Sequence, residues 1–553
     1  MDKPLIVQSD LTLLLETDSN LYEEARDLIS KFAELVKSPE HIHTYKITPL
    51  SLWNASSSGV TKEMIIETLK RFSKYELPEN VIFEINENID RYGKVKLIKD
   101  SEGNYFLYSD DDILLTEIFY NKNVSKFIQH RKDRNHILIK PNYRGHIKQA
   151  LINIGFPVED LAGYEDGAFL NIELRNNTLF TNIEFKLRPY QEEASAIFYA
   201  GNSPKGGSGV IVLPCGAGKT IVGLKIMSLL KTETLILVTS VTAARQWLFE
   251  LLDKTNLTED QIAEYSGEIK NIKPVTVATY QILTHRKSEN EEFKHFEIFN
   301  KKNWGLIIYD EVHLLPAPVF RMTAELQAKR RLGLTATLVR EDKKETDVFS
   351  LIGPKKYDVP WRELEKQGWI AKALCTEIRI KLPNQLRYKY SISSDREKFK
   401  IASTNPVKIE ITKKLIEKHK EDNILIIGQY IEQLKKISNE LNAPFIYGAT
   451  KNFERDELYK KFKEGKIKIL VISKVGNFAI DLPDANVLIQ ISGTFGSRQE
   501  EAQRLGRILR PKKNSNQAFF YTIVTSETKE QFFAFKRQLF LTEQGYKYVI
   551  QNG

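Results

Sequence analysis

The run Val210-Ile-Val-Leu213, followed by Cys215-Gly216-Ala217-Gly218-Lys219-Thr220 and then by the helical pattern Ile221 to Leu230, decides the fold. An apolar run with no polar face is what a buried parallel strand requires, and a glycine-rich turn leading from it into a helix is the context of a phosphate-binding loop. There Gly216 and Gly218 let backbone N–H groups close on phosphate, the helix N-terminus favours negative charge, Lys219 reaches the terminal phosphates and Thr220 can ligate magnesium. Leu213 stands where the generic loop has glycine, a departure from the full consensus. Cys215, within the loop, reads as a small space-filler rather than a nucleophile.

Similar texture extends downstream. Thr234-Leu-Ile-Leu-Val-Thr239, Val275-Thr-Val-Ala278, Gly305-Leu-Ile-Ile-Tyr309 and Arg331-Leu-Gly-Leu-Thr335 are short apolar runs separated by helical patterns, which predicts a doubly wound parallel sheet. The texture returns in Asn423-Ile-Leu-Ile-Ile427, Lys468-Ile-Leu-Val-Ile472, Asn486-Val-Leu-Ile-Gln490 and Ala518-Phe-Phe-Tyr-Thr522, so two such α/β cores in series are expected. Ahead of them the chain mixes a helical pattern, Thr61 to Ser73, with short alternating stretches such as Tyr105-Phe-Leu-Tyr108, and carries no catalytic signature.

Asp310-Glu311-Val312-His313 directly follows an apolar strand. A carboxylate at that strand end can hold a magnesium ion and a second beside it can polarise the attacking water, which assigns Asp310 to metal and Glu311 to water. With Lys219 upstream, the pair specifies a nucleoside triphosphatase. The second core has no phosphate loop of its own. It offers Arg504, Arg507 and Arg510 at a spacing that would share one helical face, where guanidiniums can clamp phosphate or, alternatively, follow a DNA backbone. A site completed across a cleft between cores is the expectation, closing on nucleotide and reopening after hydrolysis.

Composition sets the outer bounds. With 42% hydrophobic and 28% charged residues the chain has a globular balance, and its formal charge of +9 suits a polyanionic partner. The two cysteines, Cys215 and Cys375, are too few for a disulfide framework or a cysteine-based metal site. No apolar leader and no stretch of membrane-spanning length is read, so an unsecreted protein with no membrane partner is expected.

These blocks in this order resemble the superfamily-two helicases, and their details resemble the XPB family of repair helicases. Leu187-Arg188-Pro189-Tyr190-Gln191 is similar to the adenine-sensing segment, which implies ATP contacts for Arg188 and Gln191 beside the loop residues Cys215, Gly216, Ala217, Gly218, Lys219 and Thr220, and for Asp481. Thr239 to Trp247, with Arg245, and Thr279-Tyr280-Gln281 resemble nucleic-acid-contacting motifs, as does Ile472-Ser-Lys474. Thr335-Ala-Thr337-Leu-Val-Arg340-Glu341-Asp342 joins a Thr-Ala-Thr motif to an Arg-Glu-Asp element that the resemblance implicates in strand separation. Arg507 and Arg510 match the family's catalytic arginines.

The resemblance implies RecA-like cores over 186–380 and 405–553, joined by a basic linker or thumb-like insertion over 381–404, behind a mainly helical accessory domain over 1–80 and an α/β, damage-sensing one over 81–185. It implies ATP and Mg²⁺ as cofactors, DNA at a single-strand/duplex junction as partner, a nuclease or repair and transcription factors as associates, and 3′ to 5′ polarity in nucleotide-excision repair. Its place would be the cytoplasm with the nucleoid in a prokaryote and the nucleus in a eukaryote. Two other functions fit the motifs: an ATP-switched scaffold that recruits a nuclease or transcription assembly, and a related motor acting on RNA or in a restriction system.

Overall fold

The computed structural model describes residues 3–37, 41–141, 143–285, 294–327, 329–336, 345–359, 361–473, 485–494, 498–509 and 516–553. The chain forms two compact units, Met1–Leu213 with Gly218–Asp358 in the first and Val359–Gly553 with the short segment Pro214–Ala217 in the second. Among the described residues no helix is long and apolar enough to cross a membrane.

The first unit opens with an antiparallel four-stranded sheet in the order Leu5–Val7, Thr12–Glu16, Ile42–Lys46, Glu34–Lys37. Four helices, Tyr22–Ile29, Pro49–Ser57, Lys62–Phe72 and Glu79–Arg91, pack into its core. In Lys62–Phe72 the buried residues Ile65, Leu69 and Phe72 recur at helical spacing, and Thr61 caps the start by accepting from Met64 N. The region is therefore α+β and not mainly helical: Leu13 and Leu15 alternate inward from a leucine run whose period is hard to see. The helix Glu79–Arg91 sends Val81, Ile85 and Ile89 into this same core, which carries the domain past residue 80.

A second accessory sheet follows, in the order Ile128–Arg131, His136–Ile139, Tyr105–Tyr108, Lys96–Lys99, Glu159–Asp160, antiparallel except for its last pair. It is joined to the sheet beyond it by buried charge. Asp160 accepts from Arg144 at 2.7 Å and from Lys148 at 2.9 Å, while Lys148 also donates to Gln327 at 2.7 Å. Trp53 and Tyr92 set their rings 6.5 and 6.1 Å from Phe349, and Asn54 accepts from Lys355 N at 3.0 Å. The accessory region and the phosphate-loop core are thus packed as one body.

That core is a seven-stranded, all-parallel sheet in the order Ile262–Tyr265, Val275–Thr279, Thr234–Val238, Leu306–Asp310, Arg330–Thr335, Ser208–Val212, Lys355–Asp358. All residues of Ser208–Val212 and Thr234–Val238 are buried, as apolar runs covered on both faces must be.

The second unit repeats the architecture with seven parallel strands in the order Phe445–Ile446, Ile469–Ser473, Ile424–Gly428, Val487–Gln490, Gln517–Thr525, Lys372–Ile380, Tyr548–Asn552. Lys372–Ile380, which the sequence reading places in the first core, pairs along its whole length with Gln517–Thr525, so the boundary at 380 moves to the start of this unit. The bridge after it is ordered as two helices, Asn384–Ile392 and Asp395–Ser403, anchored by Phe399 against Phe533 at 5.2 Å. A fully buried Lys408 donates to Glu530 at 2.6 Å and to two carbonyls, Ile491 O and Ile523 O, inside the unit.

Candidate active site

Strand register brings the phosphate loop and the acidic pair to one edge of the first sheet. Val212 is paired with Thr335, and Leu334 on that strand with Asp310, so the three strands end together at their C-terminal rim. This is where open α/β sheets bind ligands. Leu213 N donates to Thr335 O at 3.0 Å, extending the alignment one residue into the loop.

Gly216 and Gly218 both adopt φ +82°, the left-handed region that lets successive N–H groups turn inward. Gly218 has a second reason to be glycine: a Cβ there would lie 2.5 Å from Gln191 Nε2. Gln191 is 3% exposed and its Oε1 accepts from Arg188 N at 2.9 Å, closing the start of the helix Pro189–Tyr199. Arg188, in turn, donates to Tyr190 Oη at 3.0 Å. The segment read as adenine-sensing therefore packs directly on the loop.

Lys219 opens the helix Lys219–Leu230 and its Nζ lies 3.2 Å from Glu311 Oε1. Glu311 can turn back toward it because its backbone is left-handed at φ +50°, a conformation costing about 1–2 kcal/mol outside glycine. Its other oxygen, Oε2, is 3.4 Å from His313 Nδ1, which lies 2.7 Å from Thr335 Oγ1. Asp310 accepts from Trp247 Nε1 at 2.8 Å and from Glu311 N at 3.0 Å. Removal from water and the adjacent Glu311 carboxylate push the Asp310 carboxyl up to about 6, with Lys219 opposing. Asp310, with Thr220 half-buried at the start of the loop helix, offers oxygen ligands of the kind a divalent cation takes. Among the described residues no set of three or more His, Cys, Asp or Glu side chains gathers to hold a metal by itself.

The residues expected at the nucleic acid differ in exposure. Thr279 is 2% exposed and caps its own helix, Tyr280–Thr284, while Tyr280 is 4% exposed and donates to Asp310 O at 3.0 Å. Neither presents its side chain to a polymer; the exposed member of that motif is Gln281. Arg245 is exposed but pairs with Glu268 at 2.6 Å and Glu264 at 3.6 Å. In the second unit the helix Arg498–Gly506 ends before Arg507, so Arg504 and Arg507 are not on one helix as the spacing predicts. Arg504 is fully buried and donates to Gln490, a structural role, and Arg507 follows in the turn, its N–H donating to Arg504 O at 3.2 Å. Arg340, Glu341, Asp342, Lys474, Asp481 and Arg510 lie outside the described residues.

Residues 364–552 match the model described as ERCC3/RAD25/XPB C-terminal helicase, 184–340 match the type III restriction enzyme res subunit, and 5–133 match a helicase conserved C-terminal domain. A Mycobacterium tuberculosis protein named DNA 3′-5′ helicase XPB is 50% identical over 551 residues, covering 100% of this chain and 98% of that protein. The chain belongs to the XPB family. Another XPB relative, the DNA 3′-5′ helicase XPB of Kineococcus radiotolerans, is 51% identical across 99% of this chain and 96% of its own. A eukaryotic XPB, the general transcription and DNA repair factor IIH helicase/translocase subunit of Enterocytozoon bieneusi, is 36% identical across 99% and 92%. The XPB likeness thus spans the accessory region as well as both parallel-sheet cores.

Proposed function

We propose that this chain is an ATP-dependent 3′–5′ DNA helicase or duplex translocase that opens DNA in nucleotide-excision repair. The observation that carries the reading is the convergence of Lys219, Glu311 and Asp310 at one sheet rim in a chain of the XPB family. ATP is the substrate and Mg²⁺ the proposed ion, held by Asp310 and Thr220; when bound it would neutralise charge on the terminal phosphates. Lys219 then leaves Glu311 for phosphate, freeing the Glu311 carboxylate to orient and deprotonate the attacking water. Gln191, fixed against the loop by Arg188 N, supports selection of adenine. Arg507 and Arg510 are proposed to stabilise charge in the transition state.

DNA contact is proposed for Arg245, Gln281 and Lys474, and strand separation for Arg340, Glu341 and Asp342. The helical hairpin after the second unit's Lys372–Ile380 strand supports the thumb reading: Lys381, Arg387, Lys389, Arg396 and Lys400 are exposed beside Tyr388 and Ile392, which are 74% and 68% exposed. Basic and apolar tips together suit backbone and base contacts. Incision would fall to a partner nuclease, and the bacterial relatives favour a place with the nucleoid. ATPase rates without polymer and with single-stranded DNA, duplex DNA and RNA test the reading. Stimulation by DNA above RNA, abolished by Lys219→Ala in a folded protein, is the expected result; RNA stimulation alone, or turnover that survives Lys219→Ala, would refute it.

A further inference from the structure

Trp247 and Tyr280 belong to segments that resemble nucleic-acid-contacting motifs, yet both side chains are buried and both end on the same residue. Trp247 Nε1 donates to Asp310 Oδ2 at 2.8 Å. Tyr280 Oη donates to Asp310 O at 3.0 Å. The remaining carboxylate oxygen, Oδ1, accepts from Glu311 N at 3.0 Å, so each oxygen of the side chain and the backbone carbonyl has a donor. The indole reaches Asp310 across the phosphate-loop helix because Gly223 leaves room for it; a Cβ at Gly223 would lie 2.7 Å from Trp247 Cη2.

The same two segments carry exposed polar residues next to these anchors. Arg245 stands two positions before Trp247 on the helix Val241–Lys254, and Gln281 one position after Tyr280; its side-chain amide donates to Thr239 O, tying the two segments to each other. A polymer that ordered Arg245 or Gln281 would thereby order the groups that hold Asp310.

We infer that Trp247 and Tyr280 are positioning residues that fix Asp310, the indole through its carboxylate and the phenol through its backbone carbonyl, and transmit the binding of a polynucleotide to it, making them the physical link by which nucleic acid stimulates hydrolysis. The inference rests on the reading of Asp310 as the metal-holding carboxylate. Losing one hydrogen bond to a charged group corresponds to a change of about tenfold or more. In the full-length protein, Trp247→Phe keeps an aromatic ring and removes the N–H; Tyr280→Phe removes one hydroxyl.

Binding of a fluorescent ADP is measured in EDTA and then across a Mg²⁺ titration, beside melting temperature and ATPase with and without single-stranded DNA. The expected result is unchanged binding in EDTA, a half-saturating Mg²⁺ concentration raised about tenfold by Trp247→Phe, a DNA-stimulated kcat lowered about tenfold, and a KM for ATP within about twofold. Excess Mn²⁺ should restore part of the rate. A folded Trp247→Phe with parental Mg²⁺ dependence and parental DNA stimulation would overturn the inference, as would a lower melting temperature with those two readouts unmoved. Should Trp247→Phe fail to fold, Tyr280→Phe, which removes the donor to the Asp310 carbonyl, carries the test through the same readouts with shifts of about two- to tenfold, and parental Mg²⁺ dependence with parental DNA stimulation would again overturn the inference. Failure of the underlying reading is separate: it would show as DNA-stimulated turnover surviving Asp310→Asn.

Discussion

His313 Nδ1 lies 2.7 Å from Thr335 Oγ1, a buried contact that joins the turn after the acidic pair to the end of the adjacent strand. His313 also stands 3.4 Å from Glu311 Oε2, so the carboxylate proposed to orient water and the strand ending at Thr335 share one imidazole. Thr335→Val removes the hydroxyl while keeping the shape, taking one hydrogen bond from the buried His313 at a cost of about 0.5–1.5 kcal/mol. Unwinding should fall more steeply than ATP hydrolysis. Equal losses of the two, measured on one preparation, would assign Thr335 to the nucleotide site alone.

Glu311→Gln retains the left-handed turn and can still hydrogen-bond water, but an amide cannot take up the water's proton. Turnover should drop by about 10²–10⁴-fold, while ADP affinity stays within a few-fold. Nucleotide titration and single-turnover hydrolysis on the same variant check this. Collapse of affinity with turnover preserved would exchange the roles of Asp310 and Glu311.

Asp160 gives a stability prediction with a pH signature. Burial alone would raise its carboxyl, but Arg144 and Lys148 prevail and hold it well below the usual carboxylate range. A depressed folded value contributes stability above the unfolded value of about 3.9 and loses it as pH falls further. Asp160→Asn should destabilise the first unit by about 3–5 kcal/mol at pH 7, where it leaves two buried cations uncompensated, with the gap to the parent shrinking below pH ~4. Urea unfolding at pH 7 and pH 3.5 measures both; a gap that does not narrow in acid rules out the ionic account.

Arg507→Ala should lower turnover by ~10³-fold with ADP affinity within a few-fold, as removal of a transition-state arginine does. An unchanged rate with weaker DNA binding would make it a backbone contact. Alanine at Arg340, Glu341 and Asp342 together should instead spare basal ATPase, reduce unwinding strongly, and alter the salt dependence of DNA binding by at most about one counterion. Normal unwinding by a stable triple variant would remove the strand-separation role.

Strands buried on both faces, such as Thr234–Val238 and Ile424–Gly428, are legible because their continuous apolar runs are short, rich in β-branched residues and separated by helical patterns, which favours buried parallel strands over buried helix. Edge strands are not. Lys355–Asp358 reads Lys-Lys-Tyr-Asp, partly exposed at the rim, and Phe445–Ile446 is too short for any period. The phosphate loop and acidic pair are local motifs and can be read directly. Buried ions escape such reading, since Arg504, Lys408 and Asp160 look like surface charges until a partner distant in sequence is placed beside them. Trp247 and Tyr280 escape for a related reason: their motif marks a segment, while the direction of each side chain is set by packing against Gly223 and Asp310.

The packing of the accessory region on the first core has a consequence for dissecting this protein. An excised fragment starting at residue 186 would strip Gln327 of Lys148 and uncover Phe349, which Trp53 and Tyr92 shield in the intact chain. Such a fragment would carry a raw apolar face with a buried arginine, Arg331, at its margin, and its self-association would masquerade as oligomerisation of the motor. Minimal working pieces of this protein therefore have to begin near the N-terminus, with both small sheets kept in place.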